Sequence, residues 1–324
     1  MEQEILMQAR GLVKEFKVSG GVVHAVSGVD LDIYAGETLA LVGESGCGKS
    51  TLGKLLLRLI PATSGSILFD GQDLTKLKPK DLRQARQKMQ LIFQDPYASL
   101  DPRMNVGRII AEPLRAYHIC KTSQEEEQRV RALMDKVGIR PEFYGRYPHQ
   151  FSGGQRQRVG IARALALNPR LIVCDEPVSA LDVSIQAQIL NLLHDLQKEL
   201  NLTYLFISHD LGVVRYISNR VCVMFLGKVC ELGATEEIFR SPCHPYTKFL
   251  LDSTPQPNPD RRKEDRELMQ GELPSPLNPP SGCRFHSRCP YAKEICSREE
   301  PPLRPCGAGM CACHFPLGQA AAFR

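Results

Sequence analysis

The stretch GESGCGKST, Gly43 to Thr51, carries residue types at a spacing that can hold phosphate. It follows an apolar run, Thr38 to Val42, and opens a segment with Leu52, Leu55, Leu56 and Leu59 at helical spacing. The pattern predicts strand, loop, helix. Gly43, Gly46 and Gly48 allow the backbone to wrap phosphates with no Cβ in the way. Loop N–H groups and the helix N-terminus would then face the anion. Lys49 would reach the β- and γ-phosphates as a point charge, and the Ser50 hydroxyl would sit on Mg²⁺. The expected nucleotide-binding set is Gly43, Ser45, Gly46, Cys47, Gly48, Lys49, Ser50 and Thr51. Cys47 lies beside a helix N-terminus and Lys49, both of which lower a thiol pKa. The expectation is a thiol whose alkylation blocks ATP binding, set against a buried inert one.

A second group is LIVCDEP, Leu171 to Pro177, where four apolar residues end in Asp175 and Glu176. This predicts a buried strand emerging at its C-terminal edge, where open α/β sheets place ligands. Asp175 would hold Mg²⁺ through water, and Glu176 would polarise an attacking water. Cys174 reads as a small apolar packer. Gln94 follows another short apolar run and enters a proline-broken loop; an uncharged amide there can ligate Mg²⁺ or position water. Ser152-Gly153-Gly154 stands where a helix begins, so a hydroxyl, glycine N–H groups and a helix N-terminus could bind a second phosphate. The alternative is a plain serine N-cap. One nucleotide does not need two such sites, so their joint use would require two subunits facing each other around two nucleotides. His209 tips the apolar run after the Asp-Glu strand, a place for a γ-phosphate contact. Phe16 could stack on adenine or be a half-buried strand aromatic. Asp182, in the turn after Ser179, could carry signals across a subunit contact.

The elements that must position these groups follow from periodicity. Ala9 to Phe16 and Val22 to Ile33 alternate and predict antiparallel strands, with Ile67 to Phe69 another short strand. Lys80 to Lys88 is polar and helical. Residues 105–150 are mostly helical, with Ser123 to Glu126 as a capping box and Val130, Leu133, Met134 and Val137 on one face. Ser184 to Leu200 predicts an amphipathic helix with Ile189, Leu192, Leu193 and Leu196 inward. Val221 to Leu226 and Lys228 to Leu232 form a hairpin about Gly227. The length of 324 residues suggests a large α/β core with a smaller piece attached. The net charge of +5 includes no Lys/Arg run of the kind that binds nucleic acid. No apolar stretch is long enough to span a bilayer and no signal peptide is evident, so a soluble or peripheral chain is expected.

In this order and register, the motifs closely resemble the nucleotide-binding subunit of an ATP-binding-cassette transporter over residues 5–255. The resemblance implies an α/β fold of the P-loop NTPase ABC type, with an antiparallel β subdomain, a helical subdomain near residues 100–165 and a cysteine-rich C-terminal extension. It makes Phe16 the adenine-stacking aromatic and Gln94 the residue that couples γ-phosphate and Mg²⁺ to the membrane subunit. Ser152, Gly153, Gly154 and Gln155 become the signature acting on the opposing subunit's ATP. Glu176 is then the general base, Asp182 part of the D-loop and His209 the switch histidine. The loop QDPYASLDP (Gln94 to Pro102), SPCHPYTKFLL (Ser241 to Leu251) and LPSPLNPPSGC (Leu273 to Cys283) narrow the resemblance. They are similar to the ATPase subunits of bacterial dipeptide, oligopeptide and nickel importers, leaning toward dipeptides. This implies a related ATPase subunit as heterodimer partner, two transmembrane permease subunits and an external substrate-binding protein. The expected location is the cytoplasmic face of the inner membrane. A nickel or other small-solute importer, and a non-transport ATPase of the superfamily, are the competing readings. The latter usually carries two cassettes or a long coiled coil, and the sequence shows neither.

Residues 1–254 are thus expected to form the nucleotide-binding domain, 255–282 a proline-rich linker and 283–324 the extension. Six of the chain's twelve cysteines lie in that extension. A nucleotide-binding chain belongs in a reducing compartment, where clustered cysteines more often hold metal than disulfides. Cys283, Cys289, Cys296 and Cys313 match the pattern that the importer family uses for a 4Fe-4S cluster, for which four thiolates are the normal ligands. Zn²⁺ is the rival, since His286 and His314 are near in sequence. Cys306 and Cys311 fall outside the pattern, and Cys311 could replace Cys313.

Overall fold

The computed structural model describes residues 4–253 and 274–318. The described residues fold as two compact units, one mainly Lys76–Ile207 with Tyr34–Glu37, the other Ile5–Ile33, Thr38–Thr75 and the described residues from Ser208 onward.

The first unit is built on parallel strands Met89–Ile92, Leu171–Asp175 and Thr203–Ile207, with Leu171–Asp175 in the middle. Every residue of the latter two strands is buried, which explains why they read as continuous apolar runs rather than alternating ones. Helices Val106–Ala116, Ser123–Lys136 and Gly153–Leu165 pack together as the expected helical region. The start of the second of these differs from expectation. Its N-cap is Thr122, whose hydroxyl accepts from Glu125 N at 3.1 Å, while Glu126 turns inward to a short ion pair with Arg115. A threonine one residue earlier outcompetes Ser123 because Glu126 finds a guanidinium. Helix Val183–Leu200 buries Ile189, Leu190, Leu193 and Leu196; Leu192 is only half-buried.

The second unit has two sheets. One is antiparallel, ordered Gly21–Tyr34, Ile5–Val18, Ser64–Phe69, Gln72–Asp73. The other runs from strand Thr38–Val42, parallel to Arg220–Phe225, to Lys228–Ala234 and a tail hairpin, Gly309–Cys311 with Arg304–Cys306. The predicted hairpin turns at Leu226 and Gly227, with φ +42° and +78°, the two positive angles that a two-residue turn between twisted strands requires. The tail hairpin pairs Cys311 with Glu231 and Met310 with Leu232, so part of the extension continues the unit's sheet. Of the stretch expected as a linker, residues 255–273 lie outside the described residues; further on, His24 N donates to Pro276 O at 3.0 Å.

Candidate functional site

The second unit carries the glycine loop. Strand Thr38–Val42 is wholly buried, and helix Lys49–Leu56 begins directly after Gly48, whose φ is +104°. A Cβ at Gly48 would lie 2.1 Å from Ala25 O, and one at Gly43 2.1 Å from Met224 O. Backbone packing as well as phosphate access therefore demands glycine at both positions. Lys49 is buried, and its Nζ donates to Gly43 O at 2.8 Å and Glu44 O at 3.0 Å. The ammonium is thus held over the loop by carbonyls that phosphate oxygens can replace. Cys47 is buried too, and desolvation raises its thiol pKa against the opposing pull of Lys49. The expected activated thiol is not found. Loss of solvent around the thiolate outweighs one nearby cation.

His209 belongs to the same unit. Ser208 N donates to Leu41 O at 3.2 Å, anchoring this turn on the loop's own strand, and His209 is exposed beside Asp210. Asp210 caps helix Leu211–Ile217 by accepting from Gly212 N at 2.8 Å and Val213 N at 3.1 Å. Phe16 is 38% exposed near the end of its strand, with Lys14 Nζ over the ring at 4.8 Å from its centroid.

In the first unit, strand Leu171–Asp175 ends on buried Asp175, and Glu176 follows with φ +45°. That backbone costs a non-glycine residue roughly 1–3 kcal/mol. Glu176 N donates to Ile207 O at 3.0 Å and Ser179 Oγ to Glu176 O at 3.1 Å, which holds it there. The carboxylate meets Gln94, whose Nε2 donates to Glu176 Oε2 at 3.0 Å. Two residues assigned separate roles from sequence are therefore direct partners.

Ser152 N donates to Gln155 Oε1 at 3.0 Å and Ser152 Oγ accepts from Gln155 N at 3.4 Å, a reciprocal capping box for helix Gly153–Leu165. This is the serine N-cap that the sequence offered as the alternative. The box fixes an exposed hydroxyl at a helix N-terminus. Gly154 is buried so tightly that a Cβ would meet Ile185 Cγ2 at 2.4 Å. Asp182 is exposed at the N-cap of Val183–Leu200 and makes no side-chain cap bond; Gln186 Nε2 braces the preceding turn through Val178 O and Leu181 O, both at 3.0 Å.

Cys283, Cys289, Cys296 and Cys313 line one pocket of the second unit, with Phe285, His286 and His314 also on its wall. Burial pushes Cys283 up to about 11 and Cys313 up to about 12. Among the described residues, however, no group of three or more His, Cys, Asp or Glu is arranged to hold a metal ion. His286 Nδ1 lies 2.9 Å from Cys283 O, and His314 Nε2 lies 2.9 Å from Glu299 O. Cys311 does not line the pocket. It packs with Cys306, Cys313 and Cys243, a residue that carried no signal in the sequence. Also missed was Glu231, a buried carboxylate that accepts from Cys243 N at 2.7 Å and His244 N at 2.9 Å. A lone acid inside an apolar strand run was the available cue.

Residues 26–179 match the family described as ABC transporter, and residues 230–296 match the oligopeptide/dipeptide transporter C-terminal region. The chain is 51% identical over 311 residues to the oligopeptide transport ATP-binding protein OppF of Escherichia coli (strain K12), covering 93% of each chain. It is 52% identical over 323 residues to the oligopeptide transport ATP-binding protein AppF of Bacillus subtilis (strain 168), covering 97% of this chain and 98% of that one. Among solved structures it is similar to the ATP-binding cassette MJ0796 in a dimeric post-hydrolysis state bound to ADP and Pi, with TM-score 0.65, 30% identity, and coverage of 71% of this chain and 99% of that one. The fold is that of an ABC ATPase nucleotide-binding domain. The chain belongs to the ABC transporter ATPase family, in the branch that carries the oligopeptide/dipeptide transporter C-terminal region.

Proposed function

We propose that this chain is the ATPase subunit of a bacterial peptide importer, acting as one half of a nucleotide-sandwich pair. The observation that carries the reading is likeness to oligopeptide transport ATP-binding proteins over more than nine-tenths of the chain, C-terminal region included. ATP is assigned to the loop Gly43–Thr51, with Phe16 against adenine and Lys49 exchanging its loop carbonyls for phosphate oxygens. Ser50 on one unit, and Gln94 and Asp175 on the other, each carry an oxygen suited to Mg²⁺, which would neutralise charge on the transferring phosphoryl group. Glu176 takes a proton from water, Gln94 orients its carboxylate, and His209 meets the γ-phosphate. Ser152, Gly153, Gly154 and Gln155 serve the ATP of the opposing subunit, and Asp182 stands at that contact.

No helix among the described residues is long and apolar enough to cross a membrane. Peripheral attachment at the cytoplasmic face of the inner membrane, through two permease subunits, is the corresponding proposal. The exposed Tyr97, capped by the Arg156 guanidinium 3.9 Å from its ring centroid, belongs to the loop assigned to that contact. A substrate-binding protein outside the membrane and a related ATPase as heterodimer partner complete the assembly. Residues 1–254 act as the nucleotide-binding domain and residues 283–324 as its C-terminal extension, joined to it where Cys311 pairs with Glu231.

The extension is proposed to take a 4Fe-4S cluster, for which four thiolates are the usual ligands; what supports this is that Cys283, Cys289, Cys296 and Cys313 line one pocket. Bound there, a cluster would cross-link a tail of low apolar content; Zn²⁺ is the alternative. The assembly is tested by pulling down tagged Glu176→Gln with ATP from detergent-solubilised membranes. Two multispanning proteins and a second ATPase are expected, and a soluble homodimer alone would contradict the importer reading. Uptake of labelled short peptides, against labelled nickel, by cells with and without the chain then decides the solute.

A further inference from the structure

Glu44 is the one acidic residue of the glycine loop, and it is anchored twice from outside that loop. Its carboxylate meets Arg288, with Nη1 donating to Oε2 at 2.9 Å across 244 residues of sequence. Its backbone N–H donates to the hydroxyl of Tyr246 at 2.9 Å. Its carbonyl, on the other side, accepts from Lys49 Nζ. Arg288 is no surface residue reaching across solvent. Its side chain is 9% exposed, its guanidinium lies 6.0 Å from the Phe225 ring centroid, and its Nε is buried with no hydrogen-bond partner. Tyr246 is fully buried in an aromatic cluster with Phe225 and Phe285, at centroid distances of 4.8 and 5.3 Å. Arg288 ends the short turn His286–Arg288 and is bonded through its N–H to Phe285 O at 3.0 Å.

Burying a guanidinium with an unsatisfied Nε is costly, and a single ion pair at this depth returns little net stability. The pair makes more sense electrostatically. A carboxylate in a loop that must take up a polyanion opposes binding, and a cation held against it removes that repulsion. We propose that Arg288, from the C-terminal extension, is a positioning residue for nucleotide binding, neutralising Glu44 and, together with Tyr246 of the nucleotide-binding domain, fixing the phosphate loop at that residue. This rests on the reading of Gly43–Thr51 as the ATP site.

The test is equilibrium binding of trinitrophenyl-ATP to the full-length chain and to Arg288→Gln, Glu44→Gln and the double variant. Arg288→Gln should weaken binding about tenfold at low salt, and less as ionic strength rises from about 0.05 M to about 0.5 M. Glu44→Gln should bind as tightly as wild type or more tightly. The double variant should return to within about twofold of wild type, which lost packing alone would not produce. Unchanged binding by Arg288→Gln, or a double variant as weak as the single, overturns the proposal. If Arg288→Gln unfolds below the assay temperature, Glu44→Gln decides alone, and weakened binding there overturns it. Failure of the wild-type chain to bind the probe would instead remove the nucleotide reading on which the proposal stands.

Discussion

Gln94 Nε2 donates to Glu176 Oε2 across 3.0 Å, joining the amide after strand Met89–Ile92 to the acid after strand Leu171–Asp175. These strands are parallel neighbours, paired Met89 with Leu171 through Ile92 with Cys174, so both side chains leave the same end of the sheet. The amide fixes where the carboxylate points. Gln94→Ala should therefore lower kcat about 10- to 100-fold, with nucleotide affinity within about threefold of wild type, in steady-state hydrolysis alongside binding titrations. Equal loss in both quantities would show that Gln94 acts in binding instead.

Gly154 brings the helix that carries Ser152 against the segment that follows Asp182, and the approach leaves no room for a methyl group. Gly154→Ala should destabilise the protein by about 1–3 kcal/mol, read as a lower denaturation midpoint at unchanged slope. A midpoint equal to wild type would mean that Ile185 yields freely.

Cys47 should resist alkylation. Burial raises its pKa, so the thiolate is scarce at neutral pH and grows only at pH above the ordinary thiol range. Iodoacetamide labelling of Cys47, followed by peptide mass spectrometry, should be slower than labelling of free glutathione at pH 7.5 and should accelerate as pH rises. Rapid labelling at pH 7.5 would restore the activated thiol that the loop's sequence suggests.

Much of this site is written locally. The phosphate loop is legible because strand, glycines and helix are contiguous, and the strand-tip acids because a buried parallel strand is an unbroken apolar run ending in charge. The Leu226–Gly227 turn is legible for the same reason. Contacts over long sequence separation leave no such trace. Nothing in the composition near Arg288 points to Glu44, and nothing near Cys243 points to Cys306, because each pairing is made by the tail returning to the sheet. The capping box misplaced at Ser123 failed for a related reason: Glu126 satisfies the local pattern but is taken by Arg115 on another helix. Likewise, sequence proximity of Cys47 to Lys49 suggested a low thiol pKa, and burial, a tertiary property, decided the opposite.

The cysteine pocket predicts a separable outcome. If the proposed cluster occupies the pocket, the purified wild-type chain should carry iron and visible absorption, and Cys289→Ser with Cys296→Ser should lose both, while assembly with the permease subunits falls in parallel with turnover. Full assembly with lost turnover would argue against a structural staple. Zinc in the wild-type protein, in place of iron and sulfide, would replace the cluster with the alternative ligand set.

The most direct test of the account is turnover of Glu176→Gln under saturating ATP and Mg²⁺. The substitution keeps the side chain's shape at φ +45° and an acceptor oxygen for Gln94, and removes only the group that can take a proton from water. The account predicts a fall in kcat of at least about 100-fold, with ATP still bound and the subunit pair trapped closed. Turnover at the wild-type rate would contradict the assignment of Glu176 as the base and, with it, the mechanism built on this site.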